Sequence, residues 1–101
     1  MRPDHKSDII RFLKSNKDTL SAYGVKKIGL FGSFVRESQK MNSDIDLLVE
    51  FDPDKLNYTN FIQLAYFLED NLNTKIDLVT SDSLSPYIGP HILKEVEYVS
   101  L

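Results

Sequence analysis

Between residues 32 and 46 the chain sets Gly32 and Ser33 in a turn straight after an apolar run. Asp44 and Asp46 then stand at the mouth of a second apolar run. In a strand, residues two apart point to the same face, about 7 Å apart. Two carboxylates so placed repel each other unless a cation lies between them, and aspartate is depleted from strands. Hard cations such as Mg2+ take oxygen ligands of this kind, usually one or two carboxylates together with substrate phosphates. A Gly-Ser turn leading into a helix supplies the complement, backbone N–H groups aimed at a phosphate. Phosphate cradle and metal pair together read as a nucleotide site.

Asp77, between Ile76 and Leu78, is a third carboxylate in an apolar setting. Such a group is costly unless it is paired or metal-bound. If its strand lies beside that of Asp46, it reaches the same ion and can accept a proton from an attacking hydroxyl; the plainer reading is an edge residue facing water. Arg36, one turn past Gly32, either contacts phosphate or pairs with a carboxylate and holds the loop. An EF-hand is excluded, because Leu48 and Val49 fall where that loop needs an oxygen ligand and a glycine. Neither a P-loop nor a G-x-G-x-x-G fingerprint occurs. His5 and His91 lack metal spacing and read as surface residues. The tyrosines form no basic-aromatic platform for nucleic acid.

The elements that carry these residues follow from periodicity. Residues 4–22 read as helical through Ile9, Ile10, Leu13 and Leu20, with a break possible at Asn16 and a stop at Gly24. Val25–Phe31 reads as a strand, Gly32–Glu37 as a turn and short helix, and residues 38–43 as a polar loop. Asp44–Phe51 alternates, with Ile45, Leu47, Val49 and Phe51 on one side and Asp44, Asp46, Leu48 and Glu50 on the other. Thr59 is the expected N-cap of a helix through Leu72. Lys75–Val79 is a third strand, and His91–Val99, entered through Pro90, a last helix. The order α-β-α-β-α-β-α predicts an α/β (α+β) fold, a small mixed sheet with helices packed on one face.

Length and composition frame this reading. A chain of 101 residues, 42% hydrophobic with eleven aromatics, suits one globular domain spanning residues 1–101. The absence of cysteine excludes disulfides and thiol nucleophiles and suits a cytoplasmic protein. No apolar run approaches the ~18 residues of a membrane span. Residues 1–27 carry seven Lys/Arg against three Asp, and the remainder five against twelve. An acidic body argues against direct nucleic-acid binding.

Gly32-Ser33, ten intervening residues, Asp44-X-Asp46 and a later strand Asp77 resemble the DNA polymerase β-like nucleotidyltransferase superfamily. Within it the chain is similar to the minimal nucleotidyltransferases (MNT). The likeness runs through Ile28-Gly-Leu-Phe-Gly-Ser33, Ser43-Asp-Ile-Asp-Leu-Leu-Val49, Lys75-Ile-Asp-Leu-Val79 and Ile92-Leu-Lys-Glu-Val96. It implies transfer of AMP from ATP with Mg2+. It also implies pairing with a HEPN RNase toxin, which the MNT antitoxin silences by modifying a tyrosine. Carried over, Gly32, Ser33, Arg36 and Ser43 would bind the nucleotide. Asp44, Asp46 and Asp77 would be catalytic and ligate the metal. Many relatives have Ala and Gly at Val35 and Glu37, and Glu37 adds negative charge near the phosphates. The expected function is therefore an Mg2+-dependent protein adenylyltransferase; the rival is an antitoxin that neutralises its toxin by binding alone. Tyr87, Ile88, Ile92, Val96, Tyr98 and Val99 offer more apolar area than one packed stripe needs. Part of it is expected to meet the toxin or a second copy of the chain, a homo-oligomer.

Overall fold

The computed structural model describes residues 3–36 and 44–101. Helix α1 (Lys6–Ser15) and helix α2 (Lys17–Ala22) are separated at Asn16, where the expected break falls. The Asn16 side chain donates to the Phe12 carbonyl at 2.8 Å, so it competes for a backbone acceptor of the helix it ends. Gly24, with φ of +95°, turns the chain into strand β1 (Val25–Phe31). A single 3-10 turn, Gly32–Phe34, follows. Strand β2 is Ile45–Phe51, helix α3 is Tyr58–Leu72 and strand β3 is Ile76–Thr80. Helix α4 (Gly89–Glu95) and strand β4 (Glu97–Val99) close the chain.

The four strands form one mixed sheet in the order β3-β2-β1-β4. β1 runs antiparallel to β2 and to β4, while β2 and β3 are parallel. A parallel pair needs a crossover, and α3 supplies it. The alternation in β2 sends Ile45, Leu47, Val49 and Phe51 into one core with Ile9, Leu13 and Leu20 of the first two helices and Leu64, Leu68 and Leu72 of α3. Phe67 of α3 packs its ring 5.9 Å from those of Phe12 and Tyr23, which knits the helical layer together. Helices α1 to α3 thus cover one face of the sheet, as the sequence leads one to expect.

Several boundaries differ from the sequence reading: Asp44 and Lys75 precede their strands, Gly32–Phe34 is a 3-10 turn, the last helix begins at Gly89, and two further ends bear on the fold. The N-cap of α3 is Asn57, whose side chain accepts from the Asn60 N–H at 2.8 Å, and Thr59 already lies inside the helix. Both residue types can cap, so spacing alone does not choose between them. The last helix stops at Glu95, and the next residues pair Leu30 with Glu97, Gly29 with Tyr98 and Ile28 with Val99. The expected helical stripe Ile92, Val96, Val99 is thus split between helix and strand. Without β4, the outer edge of β1 would carry unpaired N–H and C=O groups. Of the six apolar residues of this segment, Val99 is buried and Ile92 and Val96 are half-buried, whereas Tyr87, Ile88 and Tyr98 are exposed. Among the described residues, no helix is long and apolar enough to cross a membrane.

Candidate active site

Cross-strand partners in a sheet share a face. The register sets Asp46 of β2 between Phe31 of β1 and Asp77 of β3. The face opposite the helical layer therefore carries two carboxylates in register on adjacent parallel strands. Burial pushes the Asp46 carboxyl up to about 6, reinforced by the charge and hydrogen bond of Asp77 and by the charge of Asp44, with Arg36 opposing.

Asp44 lies one residue before β2 and is exposed. Its Oδ2 stands 3.9 Å from Lys75 Nζ, a weak surface ion pair. Its charge is nonetheless felt at Asp46. Among the described residues, no three His, Cys, Asp or Glu side chains converge closely enough to enclose an ion. The Asp46–Asp77 pair still suits Mg2+, which is usually held by one or two carboxylates and completed by phosphate and water. A cation there would relieve the repulsion between the two carboxylates.

Gly32 abuts this pair. Its φ is +77°, and a Cβ at this position would overlap Asp46 Oδ2. Glycine is thus required twice, by backbone conformation and by the carboxylate against it. The Gly32 N–H donates to Glu95 Oε1 at 2.9 Å, and Arg36 Nη1 donates to the same oxygen. Of the two expectations for Arg36, the structure shows the ion pair. Ser33, half-buried, follows in the turn. Ser43 and Glu37 lie outside the described residues.

A cleft of about 540 Å³ opens over Gly32, Asp46 and Asp77, within the range of small-molecule sites. Val79, Leu84, Ile88 and Ile92 give it an apolar lining, and Ser83, Ser85 and His91 contribute polar groups. His91 is exposed, as its sequence reading has it, but stands on this rim. Sequence reasoning missed Glu95. Its signal was a charged residue on the stripe of apolar cleft residues, since Ile88, Ile92 and Glu95 follow the helical i, i+4, i+7 spacing.

Residues 8–99 match the nucleotidyltransferase domain family. The chain belongs to it. Among its relatives is the protein adenylyltransferase MntA of Thermococcus cleftensis, 41% identical over 83 residues, which are 82% of this chain and 83% of that protein. A relative from Methanocaldococcus jannaschii is 38% identical over 96 residues, covering 92% of this nucleotidyltransferase and 96% of its own length. A solved toxin–antitoxin structure with AMP-PNP superposes with a TM-score of 0.68 at 29% identity, over 93% of this chain and 71% of that one. A second, the MntA–HepT toxin–antitoxin pair, gives 0.59 at 26% identity, over 93% and 68%. The likeness places this nucleotidyltransferase with the MNT group expected from Gly32-Ser33 and Asp44-X-Asp46.

Proposed function

We propose that this nucleotidyltransferase moves AMP from ATP to a hydroxyl of a HEPN-type toxin and so acts as its antitoxin. The observation that carries the reading is the Asp46–Asp77 pair, in register on adjacent strands and pressed against the Gly32 turn. Relatives named as protein adenylyltransferases support the reaction, and neighbours solved as toxin–antitoxin complexes support the partner. Asp46 and Asp77, with Asp44 beside them, would hold Mg2+, which when bound screens the charge of the triphosphate.

The turn at Gly32 and Ser33 takes the triphosphate, and Asp46 fixes its position relative to the sheet. The acceptor hydroxyl reaches the cleft from the β3 side, where Asp77 is exposed. Its oxygen attacks the α-phosphorus in line, and the bond from that phosphorus to the bridging oxygen of the leaving pyrophosphate breaks. The hydroxyl proton passes to Asp77. Tyr87, Ile88 and Leu93, exposed by 85, 60 and 53%, give the toxin an apolar landing beside the cleft.

Incubation of the chain with its HEPN protein, ATP and Mg2+ is expected to add one AMP mass to a hydroxyl residue of that protein. Absence of the adduct, with toxin still neutralised by Asp77→Asn, would show neutralisation by binding alone.

A further inference from the structure

We propose that Glu95 is a positioning residue of the nucleotide site: one carboxylate oxygen ties Gly32 to Arg36 across the turn that receives phosphate. The proposal rests on the nucleotide reading of that turn. Gly32 opens the turn and Arg36 stands four residues on, and the Arg36 N–H already donates to the Gly32 carbonyl at 3.2 Å. Glu95 Oε1 accepts from the Gly32 N–H at 2.9 Å and from the Arg36 guanidinium. The loop is thereby closed by backbone and by side chain at once, from a helix some sixty residues away in sequence. The Glu95 side chain is 27% exposed against 58% for Arg36, so the carboxylate is the inner partner of the ion pair.

Charge explains why this arrangement needs a purpose. Glu95 lines a cleft that already holds Asp46 and Asp77, so a third anion there is repelled. Arg36 and a backbone N–H offset that repulsion through charge-assisted hydrogen bonds. Two consequences follow for the reaction. The Arg36 charge and the Gly32 N–H are both engaged by Glu95, so they shape the turn and are not left free for the triphosphate. The Gly32 backbone, which a Cβ would drive into Asp46, is held through its N–H by Glu95. Phosphate turn and acidic pair therefore keep one spacing, set by the last helix.

The test is calorimetric titration of ATP with Mg2+, and of AMP, into wild type, Glu95→Gln and Glu95→Ala, with amide exchange at Gly32 followed in the ligand-free chains. Glu95→Ala is expected to weaken ATP binding about tenfold, to change AMP binding far less, and to speed exchange at Gly32. Glu95→Gln keeps an acceptor but no charge and should fall between the two. Tighter ATP binding in either variant would overturn the proposal, because the carboxylate would then be competing with phosphate for the same donors. Equal losses for ATP and AMP with a lowered melting temperature would overturn it too, and so would no change. If Glu95→Ala does not fold, Glu95→Gln decides by the same criteria. A wild-type chain that binds no ATP would refute the nucleotide reading, while exchange at Gly32 would still report whether Glu95 holds the turn.

Discussion

The two faces of β2 obey opposite rules. Ile45, Leu47 and Val49 point into the helical layer and are fully buried. Asp46, between two of them, points the other way and meets a second carboxylate. One face supplies stability and the other gives some of it up to hold like charges together. Because a strand alternates, this separation takes a single residue step. A chain of this size can therefore keep a dry core directly beneath a charged site.

Substitution of neighbours on opposite faces should break the comparison most visibly. Asp46→Asn is expected to lower AMP transfer by about 100- to 10,000-fold, the range of a lost catalytic group, while its melting temperature at neutral pH rises. Asp77→Asn should reduce transfer over the same range, with a smaller effect on ATP affinity, because its role lies in the attack step. Leu47→Ala should do the reverse of Asp46→Asn and cost about 2–5 kcal/mol of stability. Toxin labelling and denaturant melts on the same proteins separate the two effects. Loss of stability in Asp46→Asn would contradict the division of labour between the faces.

Proton and metal give a second handle on the acidic face. Burial and the neighbouring carboxylates push the Asp46 carboxyl up to about 6 in the folded chain, from an ordinary value of 3.8. Between these values the folded chain holds a proton that the unfolded chain has released, so this group's contribution to stability falls as pH rises through the window. Above about 6 the penalty is constant, and below the unfolded value it vanishes. Mg2+ competes with the same proton. Melts in EDTA should therefore show the Asp46 contribution declining from pH 4 to pH 6, and added Mg2+ should raise the melting temperature at pH 7.5 but little at pH 4.5. A response to Mg2+ that is equal at both pH values, or that survives Asp46→Asn, would place the ion elsewhere.

Legibility in the sequence followed the same division. The bounds of β1 were readable because Val25 to Phe31 is an apolar run closed by glycine on both sides, and Asp46 and Asp77 stood out as charges inside apolar strands. The pairing of Asp46 with Asp77 depends on β3 lying parallel beside β2, which spacing only made plausible. Glu95 and β4 were hidden for a different reason. Both meet β1 or the turn after it from more than sixty residues away, and no local pattern encodes that meeting. Val96 and Val99 suit a strand as well as a helix, and the free edge of β1 decided between them. Asp44 was read as part of β2, but it precedes the strand and pairs with Lys75. Ser43 and the rest of the connection fall outside the described residues.

The smallest effect tests whether the two faces are energetically separate. Asn57 caps α3 on the helical side and accepts from the Asn60 N–H, while its neighbours carry none of the cleft residues. Asn57→Ala leaves that N–H to water and should cost about 1 kcal/mol, lowering the melting temperature without altering ATP affinity. Thr59→Ala, two residues on and already helical, should cost much less, since its side chain is not the cap and alanine is the better helix former. Paired melts and ATP titrations of the two variants decide the point. If Asn57→Ala weakened ATP binding as much as it weakened folding, the site would be drawing on the crossover helix, and the sheet would not insulate its charged face from its packed one.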